Sequence, residues 1–171
     1  MALISNGTSI VSGGGLASGI GGKVLQVVST STNAMTSHTR GQEMTNFLTT
    51  ITPSSTSSKI LCIVSCGLVG SDAAADAGID IRRKIGVGSF IDLQIGSGAS
   101  NTNTTFIPFM GTGGGLAYGM SFQLVDSPAT TSLVSYQLRC AVNSGRTMYI
   151  NRRNGTDYGS SSGMTLLEIA G

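Results

Sequence analysis

The 171-residue chain has no tryptophan, one histidine, three prolines, three cysteines and only 11% charged residues. Each scarcity narrows the possibilities. With so little charge and no apolar repeat at helical spacing, the composition is not that of an ordinary helical or α/β enzyme. The formal charge of +2 is too small to hold phosphates without a clustered basic face, so no nucleic-acid partner is expected. No stretch approaches the ~20 apolar residues of a membrane helix, and Met1 to Val11 lacks the basic start and apolar run of a signal peptide. Synthesis in the cytosol is expected, with no membrane partner and no cofactor. The odd number of cysteines, Cys62, Cys66 and Cys140, all within apolar runs, argues against a disulfide framework. Positions four apart in a straight strand lie about 13 Å apart, beyond disulfide reach, so Cys62 and Cys66 read as small buried hydrophobes.

What the chain does have is serine, threonine and 25 glycines separating short runs rich in Val, Ile and Leu. That pattern is all-β. The organising stretch is Ile51 to Val69, ITPSSTSSKILCIVSCGLV, in which a polar turn after Pro53 runs into a long apolar strand. Its alternating faces are Ile60, Cys62, Val64, Cys66, Leu68 and Leu61, Ile63, Ser65, Gly67, Val69. Neither face is built for open water, so one should fill a core and the other meet a second layer or a neighbouring subunit.

Residues 1–22 have a composition of their own, with the apolar pairs Leu3-Ile4 and Ile10-Val11 spaced by polar residues and glycine. Such a segment cannot build a core. It reads as a flexible leader or as an extended arm that orders on another protein, and the regular apolar anchors Leu3, Ile4, Ile10 and Val11 favour the arm. Its glycines are not expected to form a phosphate cradle, because the sequence predicts no strand before Gly13 and no helix after Gly22. The body, residues 23–171, is expected to begin with a strand from Lys23 to Val28. A polar loop from Ser29 to about Met44, holding His38, leads to a second strand, Phe47 to Ile51. Beyond the central strand, Ser71 to Gly78 reads as a connection whose Asp72 and Asp76 lack the pattern of a calcium loop. Ile79, Ile81, Ile85 and Val87 then share a face with Arg83, while Asp80, Arg82 and Lys84 point outward. Phe90 to Ile95 reads as the hairpin partner of that strand, and Phe106 to Met110, with Pro108, as an edge.

After the cluster Gly111 to Gly115, Tyr118, Met120, Phe122 and Leu124 alternate with small or polar residues and are expected to face the core, and Val134, Tyr136, Leu138, Cys140 and Val142 repeat the alternation. Strands Thr147 to Asn151 and Met164 to Ala170 close the domain. The total of about nine or ten strands suits an antiparallel two-sheet sandwich of jelly-roll type.

Chemistry is thinly represented. The single His38 sits in a polar loop far in sequence from every strand-borne cysteine, so no nucleophile–base pair is marked. Asp92, Asp126, Asp157 and Glu168 are scattered without the spacing of a glycosidase pair, and metal ligands lack both number and clustering. No enzymatic activity is expected. The sequons at Asn6, Asn103 and Asn154 read as chance in a chain this rich in Asn, Ser and Thr. The basic groups Arg82-Arg83-Lys84 and Arg152-Arg153 read as solvated strand ends, with Arg82, Arg83, Arg152 and Arg153 the secondary candidates for docking on an acidic surface.

Five segments carry a family resemblance: Gly22 to Val28, the turn Ile51 to Leu61, the turn Asp126 to Ser132, Tyr149-Ile150-Asn151-Arg152, and Met164 to Ala170. In this order they resemble a jelly-roll-type domain of tailed-phage virion proteins, common in marine and cyanobacterial phages. The resemblance spans residues 22–171. It implies a virion-surface protein, usually trimeric, whose partners are itself and the major capsid protein or other virion proteins. The family includes capsid decoration or cement proteins and also fibre or baseplate proteins, the latter touching a host surface glycan or protein. The loop around Ser71 to Gly78 and the cluster Gly111 to Gly115 depart from the pattern, which bears on any shared receptor specificity. Brevity and the lack of a repeat-built shaft favour decoration over a fibre.

Overall fold

The computed structural model describes residues 23–72, 77–93, 106–109, 117–156 and 158–171, with the side chains of 77 and 106–109 left aside. It adds the backbone pairing of two short hairpins near the N-terminus, β1 (Ile4–Ser5) with β2 (Thr8–Ser9), and β3 (Val11–Ser12) with β4 (Gly15–Leu16). Among the described residues every regular element is a strand. After the hairpins come β5 (Val24–Thr32), β6 (Thr36–Thr39), β7 (Glu43–Ile51), β8 (Lys59–Ser71), β9 (Ala77–Ile85) and β10 (Ile91–Leu93). They are followed by β11 (Phe106–Phe109), β12 (Ala117–Asp126), β13 (Val134–Cys140), β14 (Thr147–Ile150) and β15 (Ser162–Ile169).

These strands form a five-stranded and a six-stranded antiparallel sheet, a sandwich of the jelly-roll kind. In the first, β13 lies between β7 and β9, and both β10 and β11 flank the far side of β9. In the second, β8 is the hub. β12 lines one flank of β8 for most of its length, while β15 and then β14 share the other, with β5 outside β15 and β6 outside β14. Period-two alternation delivers one face of each strand to a common core. Phe47 and Ile51 of β7, Ile60, Cys62, Val64 and Cys66 of β8, Ile79 and Ile81 of β9, and Val134, Tyr136, Leu138 and Cys140 of β13 are all at most 2% exposed. Met148, Ile150, Met164 and Leu166 complete it from β14 and β15. Each such side chain contributes roughly 1.5–3 kcal/mol of hydrophobic stabilisation.

Several expectations are corrected. Ser29 to Thr32 is not loop but the second half of β5, paired residue by residue with Ser162 to Thr165. His38 likewise lies in a strand, β6. Backbone pairing with neighbours replaces the missing apolar signal. Leu68 and Val69 exchange their expected faces, because a bulge in β8 shifts the register from Met120↔Cys66 to Tyr118↔Val69. Val69 is therefore buried, whereas Tyr118, expected in the core, is 47% exposed. Val87 does not share the core face either: β9 ends at Ile85, and Val87 sits fully exposed in the turn that follows.

The bulge coincides with a fork where β15 leaves β8 and β14 takes its place. Gly67 N donates to Ser162 Oγ at 3.1 Å, and Asn151 N donates to Leu68 O at 2.8 Å. A Cβ at Gly67 would lie 2.6 Å from both Ser160 Cβ and Ser161 O, so only glycine fits. Asn151, in the left-handed region at φ 61°, fills the fork. Its Nδ2 donates to Thr32 O and Ala34 O, and its Oδ1 accepts from Ser162 Oγ and Ser160 Oγ. One buried side chain thus ties β5 and β15 to the end of β14.

Candidate functional site

The titratable groups build structure first. Glu168 is fully buried, and its Oε1 accepts from Ser54 N, Ser54 Oγ and Ser58 Oγ, while Oε2 accepts from Gln26 Nε2, all at 2.7 Å. Burial alone raises a carboxyl pKa. Here the hydrogen bonds from Ser58, Ser54 and Gln26 outweigh it and hold Glu168 at about 2. The carboxylate pins the serine-rich turn after Pro53 against β5 and β15. This hub was invisible in the sequence, where Glu168 was one of four scattered acids. Its signal lay in the serine positions of the turn, which no acid neighbours along the chain.

A second cluster joins the sheets at the edge of the core. Tyr136 Oη donates to Asp126 Oδ2 at 2.7 Å, and Arg83 Nη1 donates to both Asp126 oxygens at 2.8 and 2.9 Å. Burial, followed by the adjacent Asp126, raises the Tyr136 pKa far above its usual value. A shallow cleft of about 180 Å³ opens beside Arg83, lined also by Ile85, Gly88, Ser89 and Ile91.

The outer face of the five-stranded sheet carries charges that satisfy one another. Arg82 pairs with Glu43 at 2.7 Å and Asp92 at 2.9 Å, and Arg139 with Asp80 at 2.7 Å and Asp92 at 3.1 Å. Burial opposes the charge of Arg139, but Asp80 and Asp92 more than offset it and raise its pKa. The Arg82 guanidinium and the Lys84 ammonium also stand over the Phe90 ring, at 5.5 and 5.0 Å from its centre.

The four basic docking candidates are therefore dispersed. Arg82 and Arg83 lie on opposite faces of β9, each in ion pairs. Arg152 stacks 4.3 Å above Tyr149 and donates to Gly155 O, and Arg153 stacks 4.9 Å above Tyr158. Of the arm anchors, Leu3 and Ile10 lie outside the described residues, and for Ile4 and Val11 only backbone pairing is described.

For chemistry, the three cysteines are free thiols at most 1% exposed. Burial pushes Cys66 up to about 12 and Cys140 up to about 11, and it raises Cys62 further, helped by the charge of Asp126. None is a thiolate at neutral pH. His38 Nε2 contacts Thr36 Oγ1 at 2.9 Å, and burial lowers its pKa. Among the described residues no group of three His, Cys, Asp or Glu side chains can hold a metal ion. Asp157, one of the scattered acids, lies outside the described residues.

The outer face of the six-stranded sheet is of a different kind. The registers align Val125, Leu61, Leu167 and Val27 as one row across β12, β8, β15 and β5. The next row is Gln123, Ile63, Thr165 and Ser29. Their strand neighbours Ile60, Cys62, Leu166 and Leu124 point into the core, so both rows point out. Val27 is 58% and Val125 48% exposed, and Leu61, Ile63 and Leu167 are half-buried. Across these four strands Lys59 is the one outward charge among the described residues. The second face of the central strand, apolar at Leu61 and Ile63, is thus on the surface.

No family model and no curated protein matches the chain. Among solved structures it is similar to those of the Gt and Gx strains of infectious bursal disease virus, with TM-scores of 0.40 and 0.39 and identities of 11% and 12%. Each alignment covers 99% of this chain and 46% of the other, so this chain spans about half the length of those chains.

Proposed function

We propose that the protein is a structural component of a virus particle, a decoration or cement protein that sits on a capsid as a homotrimer and stabilises the shell. One observation carries this reading: among the described residues the ion-paired arginines, their carboxylates and the three buried thiols are committed to the sandwich itself, while an apolar, nearly uncharged sheet face is left on the surface. Chemistry of that kind serves association. The resemblance to tailed-phage virion domains supports it. Its segments coincide with the Ser54–Ser58–Glu168 hub, the Asp126 turn and the Asn151 fork, the places where this sandwich is pinned.

The test is stoichiometry and rescue. Quantitative mass spectrometry of purified particles should find on the order of hundreds of copies per particle, as repeated capsid sites require. Recombinant protein added to particles lacking it should co-sediment with them and raise their heat resistance. A few or tens of copies, located at the tail, would replace decoration by a fibre or baseplate role with a host-surface partner.

A further inference from the structure

We infer that the outer face of the six-stranded sheet is where identical copies of this chain meet, with the row Val27, Leu167 and Leu61 lying along the symmetry axis. The inference rests on the homotrimer proposed above and adds the surface that makes it. Neighbouring strands are about 4.8 Å apart, so the row from β5 to β12 runs roughly 14 Å across the sheet. That is long enough for three such rows, one per copy, to line a common axis as the walls of a narrow apolar prism. Leu61 and Leu167 are flanked by strands on both sides but open above. Covering them removes apolar surface from water without rearranging the sheet.

The argument for an identical partner is electrostatic. A side chain on a rotation axis meets its own copies, so any charge there repels itself in every subunit. This row carries none, and neither does the row of Ile63, Thr165 and Ser29 beside it; Lys59 stands at the end. The opposite outer face, with Glu43, Arg82, Asp92 and Arg139, would bring like charges together under the same symmetry. A foreign partner is normally selected and oriented by complementary charge. This face offers no charge for such selection, and it is complementary to itself.

The test uses the full chain in sedimentation velocity over micromolar concentrations, with circular dichroism to check folding. Wild type and Leu48→Asp, an exposed leucine on the other sheet, should sediment as trimers. Leu61→Asp/Leu167→Asp should fold and sediment at 17.4 kDa. In addition, Leu61→Cys should form covalent dimers on mild oxidation, since two copies near an axis come within disulfide reach and the native cysteines are buried. This small substitution keeps the test intact should the charged variant misfold. A trimeric double-aspartate variant, or a trimer in which Leu61→Cys does not cross-link, overturns the assigned face and leaves the trimer standing. A monomeric wild type overturns both.

Discussion

At the scale of single residues, two polar side chains do work that the apolar core cannot. Glu168 is ionised inside the protein because four donors surround it. Its folded pKa of about 2 lies below the reference 4.5, so its contribution is complete above pH 4.5 and is lost as the pH falls towards 2. Thermal melts from about pH 5 downward should therefore show the wild type losing Tm through this window. Glu168→Gln should start lower, by on the order of 3 kcal/mol, and lose less in that window. Equal slopes for the two proteins would refute the assignment. Asn151 combines four side-chain hydrogen bonds with a left-handed backbone. Asn151→Ala should cost roughly 2–4 kcal/mol in urea unfolding, and Asn151→Gly about 1 kcal/mol less, because only the alanine adds backbone strain.

Among the elements, β8 shows how one strand can serve three partners. It pairs with β12, β15 and β14, and the exchange between the last two occurs where Gly67 leaves room for Ser160 and Ser161. Gly67→Ala must push this backbone apart, and a loss of about 2 kcal/mol or more is expected in chemical unfolding, concentrated in faster hydrogen exchange at β14 and β15. An unchanged unfolding midpoint would show that the fork is more yielding than its geometry implies. The charged face of β9, β10 and β13 should respond differently. Glu43 is 40% exposed in its ion pair with Arg82, so Glu43→Gln should change stability by less than about 1 kcal/mol. Asp80 is 3% exposed, and Asp80→Ala, which removes the shorter of the two ion pairs of Arg139 and leaves it Asp92 alone, should cost more.

For the whole molecule, both sheets of the sandwich are assembled from strands that begin at Val24. Removal of residues 1–22 should therefore leave the melting temperature within a few degrees and self-association intact. Under the proposed function it should abolish attachment to particles, because Leu3, Ile4, Ile10 and Val11 would each contribute roughly 1.5–3 kcal/mol if buried on a capsid protein. Co-sedimentation of the truncated form at the wild-type level would move the anchor onto the sandwich, with Arg152 and Arg153, which stack on Tyr149 and Tyr158, and Arg82 and Arg83 as the next candidates.

Much of the fold was legible in the chain because alternation is a local property. The runs Ile60 to Cys66 and Val134 to Cys140, and the hairpin of β9 with β10, carry their faces in their own residues. Where side chains are serine and threonine, as at Ser29 to Thr32 and Thr36 to Thr39, the strand exists through hydrogen bonds to distant partners, and composition points to loop instead. The same division holds for the sites. Sequence identified the carboxylates and arginines, and an apolar second face on the central strand. Only the tertiary structure decided that Glu168 meets a turn 114 residues away, that Arg83 meets Asp126 across 43, and that Leu61, Leu167 and Val27 align into one exposed row. The physical reason is that strand periodicity repeats every two residues, whereas register between strands is set by the bulges, turns and buried polar anchors of the whole assembly.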